Sequence, residues 1–163
     1  MTGDEQYDAK ECFEKGEAYR TGEGVEQSDI EAVKWYRLAA DQGDARAQCN
    51  LGWMYDGGRG VEQSDIEAVR WYRKSADQGY EYAQYNLGCM YEDGRGVKRS
   101  YKDAVKWYRL AADQGHARAQ LHLGWMYEDG RGVEQSDIEA VKWYILAADQ
   151  GQIEAKKRLD FIL

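Results

Sequence analysis

The chain has no proline, only two phenylalanines and only three cysteines in 163 residues. Without proline, the 18 glycines are left to punctuate the chain. That balance fits many helices joined by glycine turns. Cys12, Cys49 and Cys89 are odd in number and lack paired spacing. This argues against a disulfide framework and leaves free buried thiols as the expectation. Positive charge is also short, with 22 Lys and Arg against 30 Asp and Glu and a formal net charge of −8. A phosphate-binding surface needs a basic excess, so no nucleic-acid partner is expected. No apolar run approaches the roughly 20 residues of a membrane-spanning helix, so no membrane insertion is expected. The first twenty residues are polar and acidic, with neither the basic nor the apolar region of a secretory signal. The expected compartment is the reducing cytoplasm, unless a leader was removed.

Hydrophobic residues make up 43% of the chain, enough for a packed core. Six Trp and thirteen Tyr against two Phe suggest one motif copied several times. Trp35, Trp71, Trp107 and Trp143 lie 36 residues apart, and each is followed by Tyr. Gly43, Gly79, Gly115 and Gly151 keep the same period. This divides the chain into an N-terminal tail at 1–7 and repeats at 8–43, 44–79, 80–115 and 116–151. A C-terminal segment at 152–163 is expected to form a capping helix. The second and fourth repeats agree at 27 of 36 positions without gaps. Tandem duplication and consensus-style design both account for that.

Each repeat reads as two helices. In the second, Ala47, Leu51, Met54 and Tyr55 recur at helical spacing on one face. Gly52 sits inside this helix, where glycine is about 1 kcal/mol worse than alanine. It recurs as Gly16, Gly88 and Gly124, which predicts close approach of another helix. Glycine pairs such as Gly58 and Gly60 then permit a tight reversal. The second helix opens on capping boxes, Ser28-Glu31, Ser64-Glu67 and Ser136-Glu139, with Ser100-Asp103 as a shorter version. Its packed face is Ala68, Trp71, Tyr72, Ser75 and Ala76. Asp41, Asp77, Asp113 and Asp149 stand in the last turn, against the helix dipole. Capping of the following helix is the reading open to them. One helix pair cannot bury both its faces, but stacked copies can. Both ends should then be polar caps: Glu11, Lys15 and Glu17 replace Ala47, Leu51 and Trp53, and Lys156, Lys157 and Arg158 mark the last segment.

The pattern A-x-A-x-x-x-L-G-x-M-Y, then G-x-G-V, then A-V-x-W-Y-x-x-A-A-x-x-G resembles the Sel1-like repeat family, relatives of the tetratricopeptide repeats. The resemblance covers residues 8–163. It implies an all-α fold, a right-handed α-solenoid of about four antiparallel helix pairs with first helices lining the concave side. It further implies an adaptor or assembly factor rather than a catalyst. Some family members carry a disulfide in each repeat, and here the chain departs from the pattern.

Positions that vary between repeats are free of structural demand and are candidates for recognition. On the first helices they are Arg46, Cys49, Asn50 and Trp53; Tyr82, Tyr85, Asn86 and Cys89; and Arg118, Leu121, His122 and Trp125. The stripe through Arg46, Asn50 and Trp53 lies opposite the packed face and should point away from the core. Glu14 and Glu17 would stand at one end, and Arg158 and Phe161 at the other. Such aromatic and polar residues suit an extended peptide or a partner helix. The expected partner-binding set is Arg46, Asn50, Trp53, Tyr82, Tyr85, Asn86, Arg118, His122 and Trp125. The alternative is that Trp53, Tyr85 and Trp125 only pack between neighbouring helices. The convex side is acidic and repetitive through Gln27, Gln63 and Gln135, with Glu26, Glu62 and Glu134 beside them. The third repeat breaks it with Lys98, Arg99, Tyr101 and Lys102. Lys98, Arg99 and Lys102 form a secondary basic patch, either a solvated face or a weaker contact for an acidic partner.

No cofactor or metal is expected. His116 and His122 are six apart on different helix sides, no Cys or His spacing matches zinc, and YEDGRGVEQSD does not match a calcium loop. Gly22-Glu23-Gly24 lacks the context of a phosphate loop, and no serine has a nucleophile's partners. The expected function is a non-enzymatic protein or peptide adaptor. The alternatives are an inhibitor or immunity-type protein capping a toxin or enzyme, and a designed array without a natural partner. A monomer is expected, or weak head-to-tail association through Leu159, Phe161, Ile162 and Leu163.

Overall fold

A computed structural model describes residues 7–162. Leu163 and residues 1–6 of the expected tail lie outside the described residues. Among the described residues the chain is all-α, with nine helices and no strand. It divides into two compact units, Met1–Gln78 and Gly79–Leu163. The first unit holds α1 (Ala9–Thr21), α2 (Asp29–Asp41), α3 (Ala45–Gly57) and α4 (Asp65–Asp77). The second holds α5 (Glu81–Asp93), α6 (Tyr101–Asp113), α7 (Ala117–Asp129), α8 (Asp137–Asp149) and α9 (Ile153–Ile162). In the first unit α1 packs on α2, α2 on α3, and α3 on α4. In the second, α5 packs on α6, α6 on α7, α7 on α8, and α8 on α9.

The recurring glycine inside each first helix is explained by one tyrosine. A Cβ on Gly16 would lie 2.6 Å from the Tyr36 ring, and one on Gly52 would lie 2.7 Å from Tyr72. Gly88 stands in the same relation to Tyr108, at 2.6 Å, and Gly124 is tighter still against Tyr144. The four tyrosines are essentially without solvent contact. The helix-propensity loss at glycine therefore goes with a close-packed crossing that any side chain would prevent. Ala47, Leu51 and Met54 face it from α3, with Ala68, Trp71, Tyr72, Ser75 and Ala76 from α4, all buried.

Glutamines tie one repeat to the next. In the second unit Gln150 Nε2 donates to Gln120 Oε1 at 2.8 Å and to Gly115 O at 2.9 Å. Gln120 Nε2 in turn donates to Ala112 O at 3.2 Å. Gln114 does the same for Gln84 and Gly79, at 2.8 and 3.0 Å. In the first unit Gln78 clips Gln48 and Gly43 at 2.7 and 3.1 Å. Gln48, Gln84 and Gln120 are buried, and these bonds satisfy amides that would otherwise be costly to bury. The D-Q-G ending of each repeat is therefore a structural clip.

The loops correct two expectations. The serine Oγ atoms do cap, accepting from Glu31, Glu67, Asp103 and Glu139 N–H at 3.2–3.3 Å. The reciprocal half of the box is not made at these serines. Their own N–H groups donate instead to Tyr19, Tyr55, Tyr91 and Tyr127 carbonyls at 2.9–3.0 Å, closing each loop. Glu31 and Glu139 turn to Lys34 and Lys142. The complete capping box is at Asp8 and Glu11. Nor do the last-turn aspartates cap the following helices: Asp44 caps α3 and His116 caps α7. Asp41, Asp77, Asp113 and Asp149 are exposed to water, which weakens their conflict with the dipole.

The ends of the chain carry charge where interior repeats carry apolar groups. Lys15 Nζ stands 3.4 Å from the Tyr7 ring centroid and 4.5 Å from that of Trp35. At the other end Ala155 is buried, Leu159 and Ile162 are half-buried, and Phe161 is exposed. Arg158 binds Glu128 at 3.2 Å and covers that edge.

Candidate functional site

On the first-helix face of the first unit, the acid Glu17 organises its neighbours. Arg20 binds it at 2.6 Å, Asn50 Nδ2 donates to it at 2.8 Å, and the buried Tyr36 hydroxyl also donates to it. Burial alone would raise the Glu17 carboxyl, but these donors outweigh it and hold it below the usual carboxylate range. Asn50 is thus committed to an internal bond. Arg46 is exposed but pairs with Asp44 at 2.7 Å and lies 4.1 Å from the Phe13 ring centroid. Trp53 is 38% exposed, with the Arg59 guanidinium 4.6 Å from its ring centroid. Arg59 itself binds Asp29 through two bonds at 3.1 and 3.2 Å. Cys49 is a free, buried thiol, as expected of the cysteines, and lies off the exposed stripe.

The second unit gathers more. α5 contributes Tyr82, Tyr85, Asn86 and Glu92; α7 contributes Arg118, His122 and Trp125, with His116 at its N-cap. Tyr85 is the centre. His116 stacks on it at 4.7 Å between ring centroids, and His122 meets it edge-on at 5.4 Å. The two histidines start from different sides of α7, yet both converge on this ring. That convergence is set by the approach of α5, which spacing within α7 does not report. The Tyr85 hydroxyl lies 3.3 Å from His122 Nε2, and His122 Nδ1 lies 3.3 Å from Glu92. The Tyr108 hydroxyl donates to Glu92 at 2.6 Å, and Arg131 binds it at 3.3 Å. Burial would raise Glu92, but the bonds from His122 and Tyr108 and the nearby positive charges hold it low. Burial pushes the Tyr85 and Tyr108 hydroxyls and the Cys89 thiol upward.

Beside this fixed network opens a cleft of about 540 Å³, bordered by Tyr82, Tyr85, Asn86, His116 and Arg118, with Glu81 at its rim. Tyr82 is 52% exposed, and Arg118 is exposed. Asn86 is half-buried, and Trp125 is half-buried against His122 at 4.9 Å. Leu121, another variable position of the first helices, is buried in the core. His116 and Glu92 join this set only in the structure. His116 is the one histidine at a helix-start position where Asp8 and Asp44 stand elsewhere, and that difference was the available signal.

Lys98 and Arg99 border a separate open hollow of about 560 Å³ with Tyr91, Val97, Ser100 and Asp103. Both are exposed, as is Lys102. The recurring glutamines bond within the loop: Gln27 and Gln135 donate to the carbonyls of Arg20 and Glu128 at 2.9 and 2.8 Å. Among the described residues no group of His, Cys, Asp and Glu is arranged to hold a metal, and no helix is long and apolar enough to cross a membrane.

A profile of the Sel1 repeat matches residues 9–44, 45–80, 81–116 and 117–152. A Sel1 repeat protein from Oxalobacter formigenes is 41% identical with a TM-score of 0.86; the match covers 95% of this chain and 64% of that one. The chain thus spans a little under two thirds of that relative. Cysteine rich protein B of Helicobacter pylori is 22% identical with a TM-score of 0.64, covering 83% of this chain and 98% of that one. The immunity protein Pa5087 of Pseudomonas aeruginosa is 20% identical with a TM-score of 0.53, covering 86% and 68% respectively. At these two identities the likeness is one of fold. A comparison with curated protein sequences gave no match.

Proposed function

The chain belongs to the Sel1 repeat family, whose members generally serve as non-enzymatic protein-interaction modules, and on that premise we propose that it docks a segment of a partner protein on the α5–α7 face. The observation that carries this is the cleft between exposed Tyr82 and exposed Arg118, walled by side chains already fixed to one another. A wall held by the Tyr85–His122–Glu92–Arg131 chain of bonds loses little freedom when a ligand arrives. Aromatic surface and hydrogen-bonding groups are the residue types that carry binding energy at interfaces.

The chemistry of the same groups supports binding over catalysis. A general acid at neutral pH needs a raised carboxyl, whereas Glu17 and Glu92 are held low. A nucleophilic thiol needs a lowered one, whereas burial raises Cys12 and Cys89.

The test is partner capture from native lysate with three proteins: the wild type, Tyr82→Ala/Arg118→Ala, and Lys98→Ala/Lys102→Ala. All four positions are exposed, so the variants should fold alike, which circular dichroism checks. A protein held by the wild type and the lysine variant but lost by the Tyr82/Arg118 variant supports the α5–α7 face. A protein lost only by the lysine variant would move the site to the basic patch.

A further inference from the structure

Repeats two and four differ at one helix-start position with an electrical consequence. Asp44 caps α3 by accepting from Ala47 N–H at 3.0 Å, and the same carboxylate holds Arg46 at 2.7 Å. At α7 the cap is His116, whose Nδ1 accepts from Ala119 N–H at 3.2 Å. Imidazole offers Arg118 no negative charge. Among the described residues Arg118 makes no hydrogen bond or ion pair, and its guanidinium is left at the cleft. Burial keeps His116 below its ordinary value, against the pull of Glu81, so the ring is neutral near pH 7. With Nδ1 accepting the cap bond, the ring proton resides on Nε2, which is therefore a donor. The cleft thus combines a cation with no internal counter-charge, a second donor, and the rings of Tyr82 and Tyr85.

We propose that this cleft takes the side-chain carboxylate of an aspartate or glutamate in the partner's docking segment. Arg118 supplies the counter-charge, His116 Nε2–H the second bond, and Tyr82 and Tyr85 receive the neighbouring apolar residue. The inference rests on the docking reading above and names what that face recognises. Glu81 at the rim opposes the incoming charge, so one carboxylate is taken and a run of them is disfavoured.

The test is an NMR titration of the whole chain with two probes, N-acetyl-Gly-Glu-Leu-Gly-amide and its Gln counterpart. The Glu peptide should shift His116 and Arg118 side-chain signals saturably. The Gln peptide should bind about tenfold more weakly, the worth of one charge-assisted bond. His116→Asp keeps a capping residue and gives Arg118 the partner that Arg46 already has, so it should abolish the response while leaving the fold intact. Glu81→Gln should strengthen binding. Equal shifts from both peptides, or an undiminished response in His116→Asp, would overturn the carboxylate assignment and leave the docking face standing. No shift from either peptide would also overturn it; the docking reading then fails as well only if the Tyr82/Arg118 variant still captures the partner.

Discussion

Gly124 lies so close to Tyr144 that a Cβ on the glycine would overlap the edge of the tyrosine ring. The pair fixes how near α7 and α8 approach, and the Tyr144 hydroxyl then reaches Glu128. Helix propensity alone predicts that Gly124→Ala stabilises by about 1 kcal/mol. The packing predicts the opposite sign, a loss of about 1–3 kcal/mol from overpacking. Urea unfolding of the variant decides between them, and a gain in stability would contradict the packing argument.

The loop glycines separate in the same way. Gly24 and Gly60 both have positive φ, +75° and +67°. A Cβ on Gly24 meets nothing within 4 Å, whereas one on Gly60 would overlap the Asp29 backbone of the preceding repeat. Gly24→Ala should therefore lose only the left-handed strain, about 1–2 kcal/mol. Gly60→Ala should lose clearly more, read as a lower thermal midpoint. Equal losses would show that Gly60 serves only the turn.

The glutamine clip has its own signature. Gln120→Leu removes the side-chain bond to Ala112 O, which keeps its bond from Gly115 N–H, and leaves one Gln150 amide bond unmet inside the protein. A loss of about 1–3 kcal/mol is expected. A neutral result in chemical unfolding would mean that the apolar side chain compensates and that the clip specifies register rather than stability.

The helix pairs, their glycine crossings and the apolar faces were all legible in the sequence because each recurs at a fixed 36-residue period. The site was legible in part. Tyr82, Tyr85, Arg118 and His122 were identified as variable positions, and they meet in space. Asn50 and Arg46 were identified by the same rule, yet bonds to Glu17 and Asp44 occupy them. Variation between repeats marks freedom from the repeat's own demand. It does not report whether a neighbouring helix has supplied a partner. His116 is visible in the sequence only as a poor metal ligand, because its role at the cleft depends on a missing carboxylate, and Glu92 is hidden because its position is acidic in three repeats and becomes a hub only beside His122.

Acid should weaken the protein in two steps. His116 is held below its ordinary 6.5, so the unfolded chain binds a proton first, and stability begins to fall as pH drops through 6.5. Glu92 is held below its ordinary 4.5, so its contribution is present above that pH and is lost as pH falls through the lower folded value. His116→Asn should flatten the upper part of a thermal midpoint–pH profile, and Glu92→Gln the lower part. An unchanged profile in both would contradict these assignments.

The most direct test of the central claim is hydrogen–deuterium exchange of the chain with and without its captured partner. Exchange should slow in α5 and α7, residues 81–93 and 117–129, most strongly near Tyr82 and Arg118. Protection confined to α6 and α8, with those first helices unchanged, would contradict it.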